Sequence, residues 1–185
     1  LIQLRSVFID IVQDRNSSIR SRCGRLLHTA EKIQENLDKG ILGDVCICNY
    51  DANDEIDDAE PYISILRELI PLNDEWTAAV DKLTSADIIN RKPFIEKNEI
   101  IAEQLLVYYI FRHFLSAVYD YDILSKLKFA IFCTAVSFWI CDDSIAASAC
   151  LVSKEIEYCS ENVDSILDLS WTDECMSTKE ILKLM

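Results

Sequence analysis

Glycine and proline are scarce in this chain of 185 residues, which has three of each. Sheets, barrels and phosphate-binding loops need these residues at turns and at close backbone approaches. Their scarcity, together with a hydrophobic content of 50%, predicts an all-α protein, a single-domain multi-helix bundle over residues 1–185. The sequence also lacks the glycine-rich motifs of nucleotide-binding enzymes and the motifs of serine hydrolases and zinc proteases. Those enzyme classes are therefore excluded.

Positive charge is also in short supply. Lysine and arginine number 18 against 32 aspartate and glutamate residues, so the net charge is −14. Such a chain repels a phosphate backbone, and we expect it to bind no nucleic acid. The longest nearly uncharged apolar stretch, residues 129–141, is shorter than the roughly 20 residues that a membrane span needs. The sequence therefore predicts no contact with a membrane.

The chain opens at Leu1 within a helical pattern, without the basic start and cleavage site of a signal peptide. We therefore expect a fragment of a longer protein. Several of the eight cysteines fall inside helical apolar patterns, where a free cysteine packs as a small hydrophobic residue. This use of cysteine is typical of a reducing compartment, so we expect a cytoplasmic protein.

Metal-binding motifs are incomplete. Cys46 and Cys48 form a lone Cys-x-Cys pair, with no second pair to complete a tetrahedral zinc site. His28 and His113 are the two histidines, so a three-histidine metal site is excluded. We expect this chain to hold no metal and no cofactor of its own.

Residues 44–60 interrupt the helical pattern with seven acidic residues and no cation. The stretch 51–55 imitates the start of an EF-hand calcium loop. That motif fails further on, because Ile56 stands where it needs glycine and Tyr62 where it needs glutamate. We interpret residues 44–60 as a solvated acidic loop.

Residues 100–119 are almost all apolar, and 105–111 are apolar on every side. A helix of this kind is stable only when neighbours surround it, so the sequence predicts a buried central helix here. At about 100° per residue, its polar residues share one stripe, our candidate site: Arg112, His113, Ser116 and Asp120. These side chains either line a functional cleft or satisfy buried polar groups of the fold. The buried setting favours the second interpretation.

Three segments carry a resemblance to a known family. Residues 4–28, LRSVFIDIVQDRNSSIRSRCGRLLH, and 106–122, LVYYIFRHFLSAVYDYD, have the leucine-arginine opening and the aromatic helix of bacterial flagellin lysine-N-methylases. Residues 153–167, SKEIEYCSENVDSIL, resemble a late element of that family, Arg-Glu-(Ile/Val)-Glu-His-Ser-x-x-Asn. Three positions of that element match, and they complete our set of candidate residues: Glu155, Glu157 and Asn162. Three others depart from it: Lys154, Tyr158 and Cys159.

The resemblance implies an enzyme that methylates lysine side chains of flagellin, with S-adenosylmethionine as the methyl donor. It also implies an N-terminal cysteine cluster that holds an iron–sulfur cluster in the full-length parent, and this chain has no such cluster of cysteines. We therefore expect a C-terminal helical domain of a flagellin lysine N-methyltransferase-like protein. It would support the fold or substrate presentation and be inactive alone. Its implied partners are the N-terminal part of the same protein and flagellin.

Two other interpretations remain. One is a non-enzymatic helical protein-protein interaction module. The other, a self-contained methyltransferase, is disfavoured because the common methyltransferase site uses a glycine-rich turn between a strand and a helix.

Overall fold

The computed structural model of the protein describes residues 1–41, 45–50 and 55–185. Helices dominate these ranges and no strand occurs in them, which confirms the all-α prediction. Of the predicted acidic loop, residues 44 and 51–54 lie outside the described residues. Residues 45–50 and 55–59 are irregular. None of the helices in the described ranges combines the length and apolar character that a bilayer span requires.

The helices are numbered in chain order. They are α1 (Ile2–Val12), α2 (Ile19–Asp38), α3 (Glu60–Glu68), α4 (Asp74–Lys82), α5 (Ser85–Asn90), α6 (Lys92–Lys97), α7 (Glu99–His113), α8 (Ala117–Asp120), α9 (Leu124–Trp139), α10 (Ile145–Val152), α11 (Ser160–Thr172) and α12 (Thr178–Ile181). Short 3-10 turns follow α7, α11 and α12, and a π-helix, Ser153–Glu157, continues α10.

Side chains at the helix ends explain several of these boundaries. Ser18 accepts a hydrogen bond from the backbone N–H of Ser21 and so caps the start of α2. Ser177 accepts one from the N–H of Glu180 at the start of α12, where the sequence has the spacing of a capping box. Gly40, with a φ of 69°, follows the end of α2 in the left-handed conformation that glycine adopts easily.

The core is organised around α9, whose residues are all buried. Helices α2, α7, α10 and α11 all pack against it. The predicted location of the buried central helix, residues 100–119, is therefore wrong. One face of α7 packs against α9. Ile100 and Phe111 of the same helix are nevertheless more than half exposed, at 54% and 60%. The segment is also not one helix, because α7 ends at His113 and a 3-10 turn precedes α8.

A buried ion-pair network joins α1, α2 and α7. The Arg22 and Glu103 side chains are 1% and 2% exposed, and their closest atoms, Nη1 and Oε2, lie 2.8 Å apart. Arg22 also donates to the carbonyl oxygen of Val12 and to Glu99. Arg15 donates to both carboxylate oxygens of Glu103. Because every charge in this network has a partner, it fixes the position of α7 against the first two helices.

Candidate functional site

Two of the sequence-predicted groups of polar residues meet at Glu157. Its carboxylate is fully buried and accepts a hydrogen bond from Nε2 of His113 at 2.6 Å. Nε of Arg112 lies 2.8 Å from the same oxygen. The hydroxyl of Tyr108 donates to the other oxygen at 2.9 Å. These four residues, Tyr108, Arg112, His113 and Glu157, are called the Glu157 cluster below.

The electrostatics of the cluster favour an ionised glutamate. Burial raises the pKa of Glu157, but hydrogen bonds from His113, Ser153 and Tyr108 outweigh burial, and the net pKa lies below the ordinary 4.5. An ionised carboxylate only accepts hydrogen bonds, so His113 donates through Nε2. Burial and the hydrogen bond to Glu157 both raise the pKa of the Tyr108 phenol. The hydroxyl therefore stays protonated as a donor.

Glu157 reaches α7 from the π-helix that follows α10. Single π-helical turns are rare overall, but those that occur are often found at functional sites. The neighbouring glutamate of the same turn, Glu155, is fully buried and engages a different part of the molecule. The π-helix thus supplies both glutamates of the late motif.

Glu155 and Asn162 hold the turn between α3 and α4. One carboxylate oxygen of Glu155 accepts from the N–H of Leu72 at 2.7 Å. Asn162 accepts from the N–H of Ile70 at 2.8 Å and donates to its carbonyl oxygen at 2.9 Å. The amide of Asn162 also donates to the carbonyl oxygen of Glu155 at 2.7 Å. The late motif therefore makes two separate clamps, one to α7 and one to this turn.

The structure does not bring Ser116 and Asp120 into the cluster. Ser116 donates to the carbonyl oxygen of His113, one turn earlier. Asp120 pairs instead with Nζ of Lys126 at 2.7 Å. The change from α7 to a 3-10 turn after His113 separates the predicted stripe into two parts. Tyr108 was missed, although its position four residues before Arg112 places both on one helix face.

The chemistry available to the cluster is limited by its pairing. A carboxylate that orients an imidazole is one component of a general-base site. Here Arg112 neutralises the same oxygen that His113 contacts, and Tyr108 occupies the other. Every carboxylate oxygen is thus bound within the protein. The arrangement is typical of a structural clamp between two helices.

The described residues do not fit an iron–sulfur cluster. Within residues 1–41, 45–50 and 55–185, no three histidine, cysteine, aspartate or glutamate side chains are grouped so as to hold a metal ion. Cys46 is exposed, whereas Cys48 is buried with its thiol 3.5 Å from the carbonyl oxygen of His28. Such clusters commonly need four thiolates at one place.

Comparisons with curated proteins and with solved structures gave no match. A model of the FliB lysine N-methylase C-terminal domain matches residues 54–184, which include the Glu157 cluster and both clamps of the late motif. The match covers more than half of the chain and confirms the family resemblance seen in the sequence. The chain therefore belongs to the FliB lysine N-methylase C-terminal domain family.

Proposed function

We propose that this chain is the C-terminal helical domain of a flagellin lysine N-methyltransferase-like protein and has no methyltransferase activity alone. Its role is to support the fold of that protein or to present the substrate. The observation that carries this proposal is the use of the late-motif residues. The side chains of Glu155, Glu157 and Asn162 are buried, and each makes hydrogen bonds or ion pairs within the protein.

The two clamps have a common effect. The Glu157 cluster ties the π-helix to α7, and Glu155 with Asn162 ties it to the turn between α3 and α4. These contacts connect early, middle and late parts of the matched range. Residues committed in this way serve the architecture of a domain, which supports a scaffolding role.

The methyl donor and the metal centre belong, in this proposal, to the full-length parent. S-adenosylmethionine would supply the methyl group there, and the N-terminal part of the same protein would hold the iron–sulfur cluster. That N-terminal part and flagellin are the partners that we propose. All eight cysteines are free thiols, which supports a reducing, cytoplasmic location.

Methyl transfer from labelled S-adenosylmethionine to purified flagellin tests this proposal. We expect label in flagellin when the chain is expressed with its natural upstream coding sequence, and none with residues 1–185 alone. Transfer by residues 1–185 alone would contradict the non-catalytic role. An inactive longer protein would contradict the relation to a methylase activity.

A non-enzymatic interaction module is the second candidate function. It is favoured by apolar and aromatic side chains on the surface, because Val118, Tyr119 and Tyr121 are 54%, 87% and 73% exposed. The coding sequence upstream of Leu1 separates the two candidates. A four-cysteine cluster there supports the methylase-related domain, and an unrelated domain supports the interaction module.

A further inference from the structure

The turn between α8 and α9 has an unusual and well-supported backbone. Tyr121 has a φ of 59°, a left-handed conformation that is uncommon for residues other than glycine. Gln34 of α2, which is 6% exposed, holds this turn from both sides. Its amide nitrogen donates to the carbonyl oxygen of Tyr121 at 3.1 Å, and its amide oxygen accepts from the N–H of Ile123 at 2.9 Å. The turn is therefore fixed to α2, and it divides two hollows in the surface.

On one side of the turn, Tyr121 and Ile123 line an apolar groove of about 650 Å³. Its other lining residues include apolar side chains of α1, α2 and α8: Leu4, Val7, Ile33, Leu37 and Val118. Val118 is 54% exposed. Apolar surface that remains open to water in a concave site is a common feature of protein-binding and ligand-binding surfaces. This first hollow is called the apolar groove below.

On the other side of the turn, Asp120 and Asp122 line a second hollow of about 630 Å³. Its described lining contains five carboxylates and one cation, Lys126, which is already paired with Asp120. The remaining acidic and aromatic lining residues are Asp38, Asp164, Asp168 and Trp171. This second hollow is called the acidic pocket below.

Trp171 gives the acidic pocket an oriented aromatic surface. Its indole N–H donates to Asp122 at 2.8 Å, while the side chain remains 56% exposed. An ammonium group near an aromatic ring and several carboxylates gains from both interactions. The apolar carbons of Leu167, in the same lining, suit the alkyl stem of a long cationic side chain. The pocket therefore has the chemistry that recognises a lysine side chain.

We infer that the apolar groove and the acidic pocket together bind one protein segment, with apolar side chains in the groove and a lysine in the pocket. Charge complementarity supports this occupant, since the pocket has a large excess of carboxylates. A second copy of the chain is disfavoured because it also carries a net charge of −14. The identification of the segment as part of flagellin rests on the proposed function.

Binding of labelled flagellin monomer to residues 1–185, measured by fluorescence anisotropy, tests the inference. Asp164→Asn with Asp168→Asn removes two exposed carboxylates of the pocket. We expect this double variant to raise the Kd about tenfold, because attraction for the lysine is lost. The matched control, Asp10→Asn with Asp57→Asn, removes the same charge from exposed positions elsewhere. We expect the control to change the Kd by less than about twofold.

The groove and the lysine are tested separately. Val118→Ser is expected to raise the Kd about fivefold by removing apolar contact. Flagellin with acetylated lysines should bind no better than a non-specific control protein. Equal binding of acetylated flagellin, or an unchanged Kd in the pocket variant, overturns the inference. So does a dimer of the chain that Val118→Ser dissociates, since the groove would then belong to a second copy.

The binding and methylation assays together distinguish failure of this inference from failure of the proposed function. If residues 1–185 bind flagellin as described but the longer protein transfers no methyl group, the docking surface stands and the proposed function fails. If the longer protein methylates flagellin while residues 1–185 do not bind it, the docking surface is overturned and the proposed function stands.

Discussion

Oε1 of Glu157 contacts both Nε2 of His113, at 2.6 Å, and Nε of Arg112, at 2.8 Å. One oxygen atom of the π-helix therefore joins two consecutive residues of α7. His113 and Glu157 are 44 residues apart in the sequence. The stability of this contact depends on the single buried carboxylate, and the first two predictions concern it.

His113→Ala should lower the free energy of unfolding by about 1–3 kcal/mol, because Glu157 loses a hydrogen-bond donor and a small void forms. Thermal melts of the variant measure this loss. Ser116→Ala is the control, since Ser116 is exposed and donates to a carbonyl oxygen of the preceding turn. An unshifted melt for His113→Ala would contradict the structural interpretation. It would instead make methylation by the longer protein the next assay for this variant.

Glu157→Gln should change how stability depends on pH. The folded pKa of Glu157 lies below its ordinary value of 4.5. Its ionised form therefore stabilises the fold above about pH 4.5, and this contribution is lost as the pH falls through the folded pKa. The difference in unfolding free energy between the wild type and Glu157→Gln should be largest near neutral pH and shrink in acid. Urea titrations from pH 7 to 3 measure it.

A pH-independent difference would contradict the role assigned to the charge of Glu157. The control is Glu96→Gln, which changes an exposed glutamate of α6. Its difference from the wild type should stay small at every pH, because exposed single charges contribute little.

Glu103→Ala should be strongly destabilising, by about 3–5 kcal/mol, because the buried guanidinium of Arg22 loses a carboxylate partner. Arg15→Ala removes another partner of Glu103, but the Arg15 side chain is 60% exposed. We expect that control to cost less than about 1 kcal/mol. Chemical denaturation of the two variants compares them directly. Equal losses would show that burial does not set the cost of breaking this network.

Gly24→Ala should disturb the packing of residues 45–50 on α2. A Cβ atom at Gly24 would overlap the ring of Tyr50, so the ring must move. The N–H of Cys48 donates to Thr29 of α2 within the same contact region. We therefore expect the buried thiol of Cys48 to react faster with a maleimide, as resolved by peptide mass spectrometry.

Tyr50→Ala supplies the control background for this prediction. Once the ring is gone, adding Gly24→Ala should leave the labelling rate of Cys48 nearly unchanged. A further large increase in the labelling rate of Cys48 in the Tyr50→Ala background would contradict the proposed clash. Cys46, which is already exposed, should label at a similar rate in all variants.

Local features of this fold were accessible from the sequence because they depend on neighbouring residues. Ser18 and Ser177 cap helices through contacts three positions ahead, and Gly40 follows a helix with a φ of 69°, so each effect lies within the range of a local sequence pattern. Arg112 and His113 stood out as polar residues in an apolar helix. Their contact with Glu157 was not accessible, since it depends on the packing of α7 against a π-helix that helical periodicity does not indicate.

The location of the central helix was misjudged because hydropathy and burial diverge here. Phe111 is apolar yet 60% exposed, with the guanidinium of Arg5 over its ring. Helix α9 contains Lys126 and Lys128, which are 4% and 6% exposed. Lys128 donates to the carbonyl oxygen of Ser170 at 2.8 Å. Lysines indicate a surface position in most sequences, so two lysines with buried stems and polar partners concealed the true core helix.

The π-helix at Ser153–Glu157 makes this stretch sensitive to length as well as to composition. A π-helical turn accommodates one residue more than an α-helical turn. Deleting one residue there would therefore preserve a continuous helix in α-helical register. If the residue removed is Ile156, Glu155 and Glu157 become adjacent in the chain and point about 100° apart around the helix axis. Glu157 could then no longer face α7 while Glu155 faces the turn before α4. Such a deletion would thus uncouple the two clamps although both glutamates are retained.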